Sequence, residues 1–383
     1  MTAEPVKLGD VADMLSGFAF KSAEFLDHSE EGVFLVRGDN VQQGFIRWGE
    51  KAKKWRSDAY DDLSRYHLQK DDVILAMDRP IVGGGLKLAW IKDQDLPSLL
   101  VQRVTRIRGI NDKARTNFLR YVLSTPDFLA HIDRITTGAN IPHISGKDIA
   151  SFTFQLPDLD VQDRIVDFIA AYDDLIENNQ RRTALLEESA RLLYREWFVC
   201  LRFPGYESVQ IENGIPKGWQ LRSLGDVAPL KYGKSLKAEE RKDGNVPVYG
   251  SSGIVGHHNQ AIVSAGAIVV GRKGNVGSLY HSASPCFPID TVFYIEPELV
   301  TLRLFLAMHA LNFISSDAAV PGLNRNYAHS LPIMIPVDTV AVDFEALVGP
   351  IFEQIALLNK QNAELVKARN ALLPKLMSGE IQV

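Results

Sequence analysis

The sequence predicts a mixed α/β (α+β) chain: two globular heads separated by two long antiparallel helices that form a coiled-coil spacer, with an internal pseudo-twofold repeat. Three observations carry that prediction. The first is the stretch from Gln162 to Trp197. Apolar residues step by three and four through Ile165, Ile169, Tyr172, Ile176, Leu186, Leu193 and Trp197, with polar residues elsewhere, as a helix with one buried stripe requires. The second is another such seam near the end of the chain, through Phe344, Val348, Ile351, Ile355, Leu358, Leu365 and Leu372. An offset of 179 residues lays one seam on the other, and a polar residue stands in both at the matching place, Thr183 and Asn362. In a coiled coil such a residue costs stability and fixes register. The third is a repeat outside the helices. Leu8-Gly9-Asp10-Val11-Ala12 recurs as Leu224-Gly225-Asp226-Val227-Ala228, and Thr137-Gly138-Ala139-Asn140 is answered by Pro321-Gly322-Leu323-Asn324.

Each half then reads as a short helix after the "LGDVA" stretch, a globular segment, a Gly-x-Asn loop, a strand into a Leu-Pro or Ile-Pro step, and the long helix. The boundaries are 1–157 for the first head, 158–203 for the central helix, 204–337 for a linker and the second head, and 338–383 for the last helix. Pro157 with Asp158 or Asp160 opens the first helix and Pro204-Gly205 closes it. Pro336-Val337-Asp338 opens the second, and Pro374 followed by "SGE" ends it. In the first head "EGVFLVRGDNV", "DDVILAMD" and "LKLAWIK" read as strands, and a helix pair is broken at Pro126. In the second, "AIVVGRKG", "GSLYH" and "TVFYIEP" are strands and "VTLRLFLAMHALNFI" is a helix. The heads are unequal: 129 residues separate Gly9 from Gly138, and 97 separate Gly225 from Gly322. Thirty-six helical residues make a rod of roughly 54 Å. Such a rod needs a partner for its apolar stripe, and the chain supplies one, so a dumbbell is expected.

Composition sets limits. With 383 residues, 46% hydrophobic and 23% charged, the chain is of globular composition and long enough for two to three domains. Its two cysteines, Cys200 and Cys286, form no disulfide framework, which fits a reducing cytoplasm. No apolar run approaches the roughly 18 residues of a membrane span. The formal charge is −5, yet cations cluster locally. Residues 37–56 hold six Lys or Arg against two acids, 103–120 six against one, and 217–242 seven against three. The first turns of the central helix are acidic instead, from Asp160 to Glu177.

Catalytic signatures fail one by one. No two prolines are adjacent, so the Asn/Asp-Pro-Pro-Tyr/Phe loop of an amino-methyltransferase is absent. Gly233-Lys234-Ser235 has the tail of a P-loop, but Ala228 replaces its first glycine. Asp226 with Glu240-Arg241-Lys242 lacks the strand pair of a Mg²⁺ nuclease, and His143, His257 and His258 have no partner at metal-ligand spacing. The candidate residues are therefore in loops. They are Arg79, Gly83 and Gly84 with Asn140 and His143 in the first head, and Arg272, Lys273 and Asn275 with Asn324 and Arg325 in the second. Glycine lets backbone approach a phosphate ribbon, and Arg and Asn match base edges. The same glycines also suit a hairpin turn.

Four stretches resemble the specificity subunits of type I restriction-modification systems: "TGANIPHISGKDIASFTFQLPDLDVQDRI", "LYREWFVCLRFPGYE", "NGIPKGWQLRSLGDVA" and "LLPKLMSGEIQV". They occur in the family's order, although "LPDLDVQ" departs from its more usual Leu-Pro-Pro-Leu. The resemblance implies a noncatalytic DNA reader. Each head would be a target recognition domain for one half of an asymmetric bipartite site, and the helices would set the gap. It implies double-stranded DNA, two modification subunits and restriction subunits as partners. No cofactor is expected in this chain; S-adenosylmethionine, ATP and Mg²⁺ belong to the partner subunits. The competing readings are an autonomous nuclease or methyltransferase with two DNA-binding heads, and a spacer protein with no DNA role.

Overall fold

The structure is a computed structural model that describes residues 4–137, 142–313 and 322–383. The chain divides into two compact units, residues 1–176 with 363–383 and residues 177–362. Each unit thus contains one head and its own portion of both long helices.

In chain order the first head comprises β1 (Glu4–Lys7), α1 (Leu8–Val11), β2 (Ala12–Ser16), β3 (Leu26–Asp27), β4 (Val33–Val36), β5 (Lys53–Trp55) and β6 (Val73–Ala76). It continues through β7 (Ile81–Val82), β8 (Gly85–Leu86), β9 (Leu88–Trp90), β10 (Ser98–Leu100), β11 (Val104–Gly109), α2 (Thr116–Val122), α3 (Pro126–Ile135), α4 (Gly146–Ala150) and β12 (Thr153–Leu156). The first long helix, α5 (Leu159–Tyr194), follows. Then come β13 (Ile211–Glu212), β14 (Ile215–Pro216), β15 (Gln220–Ser223), α6 (Leu224–Val227), β16 (Lys231–Tyr232), β17 (Val246–Gly250), β18 (Gly253–His258) and β19 (Ala267–Gly271). The chain ends with β20 (Leu279–Ser282), β21 (Phe287–Pro288), β22 (Val292–Ile295), α7 (Leu302–His309), α8 (Arg325–Ser330), β23 (Pro332–Ile335) and the second long helix, α9 (Asp338–Met377).

The two heads share one topology. A four-stranded antiparallel sheet runs β2-β11-β6-β9 in the first and β16-β22-β19-β20 in the second. A second sheet pairs β10 parallel to β4 and β4 antiparallel to β5; β21, β17 and β18 repeat that arrangement. The entering strand pairs with the one before the long helix, β1 with β12 and β15 with β23. The short helices lie within "LGDV" itself rather than after it, because Ala12 has extended backbone and already starts β2. Their glycines are required by close approach: a Cβ on Gly9 would lie 3.0 Å from the Ala150 Cβ, and one on Gly225 2.8 Å from the His329 Cβ.

The correspondence of the loops is corrected. Ile144 N–H donates to the Met77 carbonyl, and Leu323 N–H donates to that of Arg272. Ser145 caps α4 by accepting from Asp148 N–H, and Asn324 caps α8 by accepting from Tyr327 N–H. The pairs are therefore Ile144 with Leu323 and Ser145 with Asn324, an offset of 179 rather than the 184 of the Gly-x-Asn match, whose Gly138 and Asn140 lie outside the described residues. The 179-residue register thus begins before α4 and continues without interruption into the long helices.

Within each unit the two helix portions run antiparallel. In the first, Ile165 and Ile169 share a core with Leu373 and Leu376; in the second, Ala190, Tyr194 and Phe198 share one with Val340, Phe344 and Val348. Of the seam residues read from the sequence, Ile165, Ile169, Ile176, Phe344, Val348, Ile355 and Leu358 are buried. Tyr172, Leu186, Leu193, Trp197, Ile351, Leu365 and Leu372 are half-buried. Three details differ from expectation. The polar pair across the seam is Asn179 with Asn362, whose side chains hydrogen-bond at 3.0 Å; Thr183, the expected member, has a buried hydroxyl with no partner among the described residues. Near the end of α5 burial steps by four through Ala190, Tyr194 and Phe198 rather than through Leu193 and Trp197, and residues Arg195–Val199 form a π turn. Pro374 lies inside α9 and does not end it; the chain turns at Gly379, where φ is +76°.

Candidate nucleic-acid interface

The first head's cluster forms where β6 ends. Asp78 accepts from Arg103 Nη1 at 2.6 Å and lies 2.6 Å from His143 Nδ1. Arg103 and His143 thus meet at one carboxylate, and the next residue, Arg79, is anchored beside them by its N–H, which donates to the Pro142 carbonyl. Burial would raise the Asp78 pKa, but the bonds from His143 and Arg103 outweigh it and hold the carboxyl below its ordinary value. Arg79 and Arg103 both have left-handed backbone, with φ of +46° and +65°, a conformation that β-carbon-bearing residues avoid. Lys87 completes the group. Its pKa is pushed down chiefly by burial and partly by Arg79 and Arg47, against Asp39 and Asp78. Gly83 and Gly84, with φ of +59° and +79°, form the two-residue turn between β7 and β8. Hairpin geometry therefore accounts for these glycines. Gln43 Nε2 donates to the Val82 carbonyl and ties this hairpin to the 37–52 excursion. Asn140 lies outside the described residues.

Part of the first head's extra length is in that excursion. Residues 37–52 join β4 to β5, whereas the equivalent β17 to β18 turn is residues 251–252.

The second head's cluster is built on an aromatic ring. Tyr232, at the end of β16, is half exposed and packs edge-on to buried Phe293 with centroids 5.0 Å apart. The Arg272 and Arg325 guanidinium carbons both lie 5.0 Å from the Tyr232 centroid. The backbone fixes Arg272: its N–H donates to the Thr291 carbonyl, its own carbonyl accepts from Leu323, and Nη1 donates to the Asp290 carbonyl at 3.1 Å. Lys273 is exposed beside it and also donates its N–H to Thr291. Asn275 Nδ2 donates to Ser252 Oγ at 3.2 Å, tying this loop to the β17–β18 turn. Asn324 spends its side-chain oxygen on the α8 cap, which sets the position of Arg325.

The structure therefore brings together Arg79 and His143 in one head, and Arg272, Lys273 and Arg325 in the other. Asp78, Arg103, Lys87 and Tyr232 were not singled out by the sequence; the Lys-Tyr-Gly-Lys context of Tyr232 is the signal that could have found it. The basic stretch 103–120 is mostly structural. Arg106 pairs with Asp13, Arg108 with Asp72, Arg115 with Asp163 and Arg120 with Asp173. The acidic side of α5 is thus partly occupied by the first head's own arginines. Among the described residues no cluster of His, Cys, Asp or Glu could hold a metal ion, and no helix is long and apolar enough to cross a membrane.

Known proteins match this arrangement. A family model described as the type I restriction modification DNA specificity domain matches residues 2–188 and again 216–366, once per repeat. The chain belongs to this family, that of the type I restriction modification DNA specificity domain. It is 32% identical over 188 residues to the MjaVIII specificity subunit of Methanocaldococcus jannaschii, a match that spans 49% of this chain and 43% of that relative, less than half of its length. To the HindI specificity subunit of Haemophilus influenzae it is 22% identical, over 91% of this chain and 94% of that one. The crystal structure of a type I S subunit from M. genitalium has the same fold, with a TM-score of 0.54 at 16% identity, covering 98% of this chain and 96% of that one.

Proposed function

We propose that this chain is the noncatalytic reader of a cytoplasmic type I complex, with each head contacting one half of an asymmetric bipartite DNA site and the two helices setting the gap. The observation that carries this reading is the pairing of one shared topology with two differently built cation clusters at the same β6–β9 and β19–β20 connections. A common scaffold with unlike loops suits two unlike half-sites, because phosphate contacts position a protein while base contacts specify sequence. Two modification subunits supply S-adenosylmethionine and methyl transfer in this reading, and restriction subunits supply the ATP- and Mg²⁺-dependent steps. The exposed rims of the long helices are the candidate docking faces for them.

Two experiments test the reading. The purified chain, incubated alone with duplex DNA, Mg²⁺ and S-adenosylmethionine, leaves the DNA uncut and unmethylated; turnover by the chain alone would favour an autonomous enzyme. Arg272→Ala or Lys273→Ala weakens DNA binding by the assembled complex while the second head stays folded, and unchanged affinity would remove these residues from the interface.

A further inference from the structure

Arg272 and Arg325 share a feature that the other cations of the second head lack. Both guanidiniums lie 5.0 Å from the same exposed ring, that of Tyr232. Among the described residues neither is in a salt bridge, whereas Lys231, the residue before Tyr232, is neutralised by Glu296 at 2.5 Å. Two like charges gathered without an acid repel each other, and an electronegative ligand edge relieves that repulsion. The supports are rigid. Phe293 under Tyr232 is fully buried, and Arg272 is held through its N–H, its carbonyl and Nη1. Arg325 is the first residue of a helix whose cap is satisfied by Asn324. Backbone and ring together restrict the planes of both guanidiniums. Phosphate needs only a nearby charge, but the O6 and N7 atoms of guanine accept a fork whose plane is set.

We propose that Tyr232 is a positioning residue for base reading by the second head: with Phe293 beneath it, it holds Arg272 and Arg325 as two forks for guanine edges in the major groove. This rests on the DNA-reading role argued above. Each fork would account for one guanine in that half-site, and the first head, whose cations surround Asp78 instead, would not depend on it.

The test uses the full chain coexpressed with its modification subunit, followed by mapping of methylated adenines across the host genome. Arg272→Lys and Arg325→Lys keep the charge but not the fork. Each is expected to relax one guanine of one half-site, lowering discrimination there by about ten- to a hundredfold, with the other half-site and the gap unchanged. Tyr232→Ala is expected to relax both positions, and Tyr232→Phe, which keeps the ring, to restore them. In purified complexes, 7-deazaguanine at either position should weaken wild-type binding by more than it weakens the matching Lys variant, whose ammonium has no planar fork. A wild-type motif that all four variants reproduce unchanged would overturn the assignment, as would a uniform loss of methylation with every base preference intact, the sign of phosphate contact alone. A wild-type complex that yields no bipartite motif would instead overturn the reading on which this rests.

Discussion

At the position where Asp173 joins the first head to its helices, the second unit has Phe352, 179 residues later. Asp173 accepts from Tyr121 Oη at 2.8 Å and from Arg369 Nη1 at 2.6 Å, and pairs with Arg120, whose guanidinium lies 3.8 Å over the Trp90 ring. Phe352 instead meets Phe305 at 5.9 Å and His281 at 6.3 Å, and Phe305 in turn meets His309 at 4.9 Å. One joint is ionic and the other aromatic. What the repeat has kept is backbone position and the satisfaction of helix ends. Gln162 accepts from Arg115 N–H just ahead of α2, and the Glu345 carboxylate accepts from Leu302 and Arg303 N–H at the start of α7. The chemistry between those fixed points has diverged, as it has in the two loop clusters.

Breaking the joints separates their chemistries. Asp173→Ala leaves two little-exposed arginines and a tyrosine hydroxyl without their carboxylate, and is expected to destabilise the first unit by about 3–5 kcal/mol. Denaturant unfolding measures this, and a loss below about 1 kcal/mol would mean that water replaces the carboxylate. Asn362→Leu strands buried Asn179 and should cost about 1–3 kcal/mol. The double replacement Asn179→Leu with Asn362→Leu should recover that loss while weakening register specification; no recovery would contradict a simple polar pair. Phe352→Ala, at a half-buried site, should cost about 1–2 kcal/mol with no ion left unpaired.

The smallest effect is on pH. His281, His309 and His329 are all held below the ordinary 6.5, chiefly by burial, with Arg191 adding to the effect at His309 and Arg325 at His329. His329 Nε2 accepts from Leu230 N–H, which requires the neutral ring. A base with a lowered folded pKa contributes fully above 6.5, and that stability is lost as pH falls through the folded value. Asp78, held below 3.8, loses its contribution only at far lower pH. Between pH 7.5 and 5.5, hydrogen-exchange protection factors, corrected for the intrinsic pH dependence of exchange, should therefore fall in the second unit before the first; a simultaneous fall would contradict the assignment.

The repeat, the strand and helix types and the seam were legible because periodicity and the 179-residue offset are properties of the letters. Less visible was anything decided by partners distant in sequence. Arg106, Arg108, Arg115 and Arg120 look like a cationic stretch, and only the fold reveals Asp13, Asp72, Asp163 and Asp173 beside them. Tyr232 carried only the faint signal of an aromatic residue among lysines, since its role depends on arginines 40 and 93 residues away. The loop ends likewise matched as letters at an offset of 184, but the hydrogen bonds of Ile144 and Leu323 set the correspondence at 179.

The central claim is that one scaffold carries two unlike readers. Its most direct test is coexpression of this chain with its modification subunit and mapping of the methylation that appears only in its presence. The account predicts a two-part motif with unequal halves and a fixed gap. A continuous motif, or a palindrome with identical halves, would contradict it.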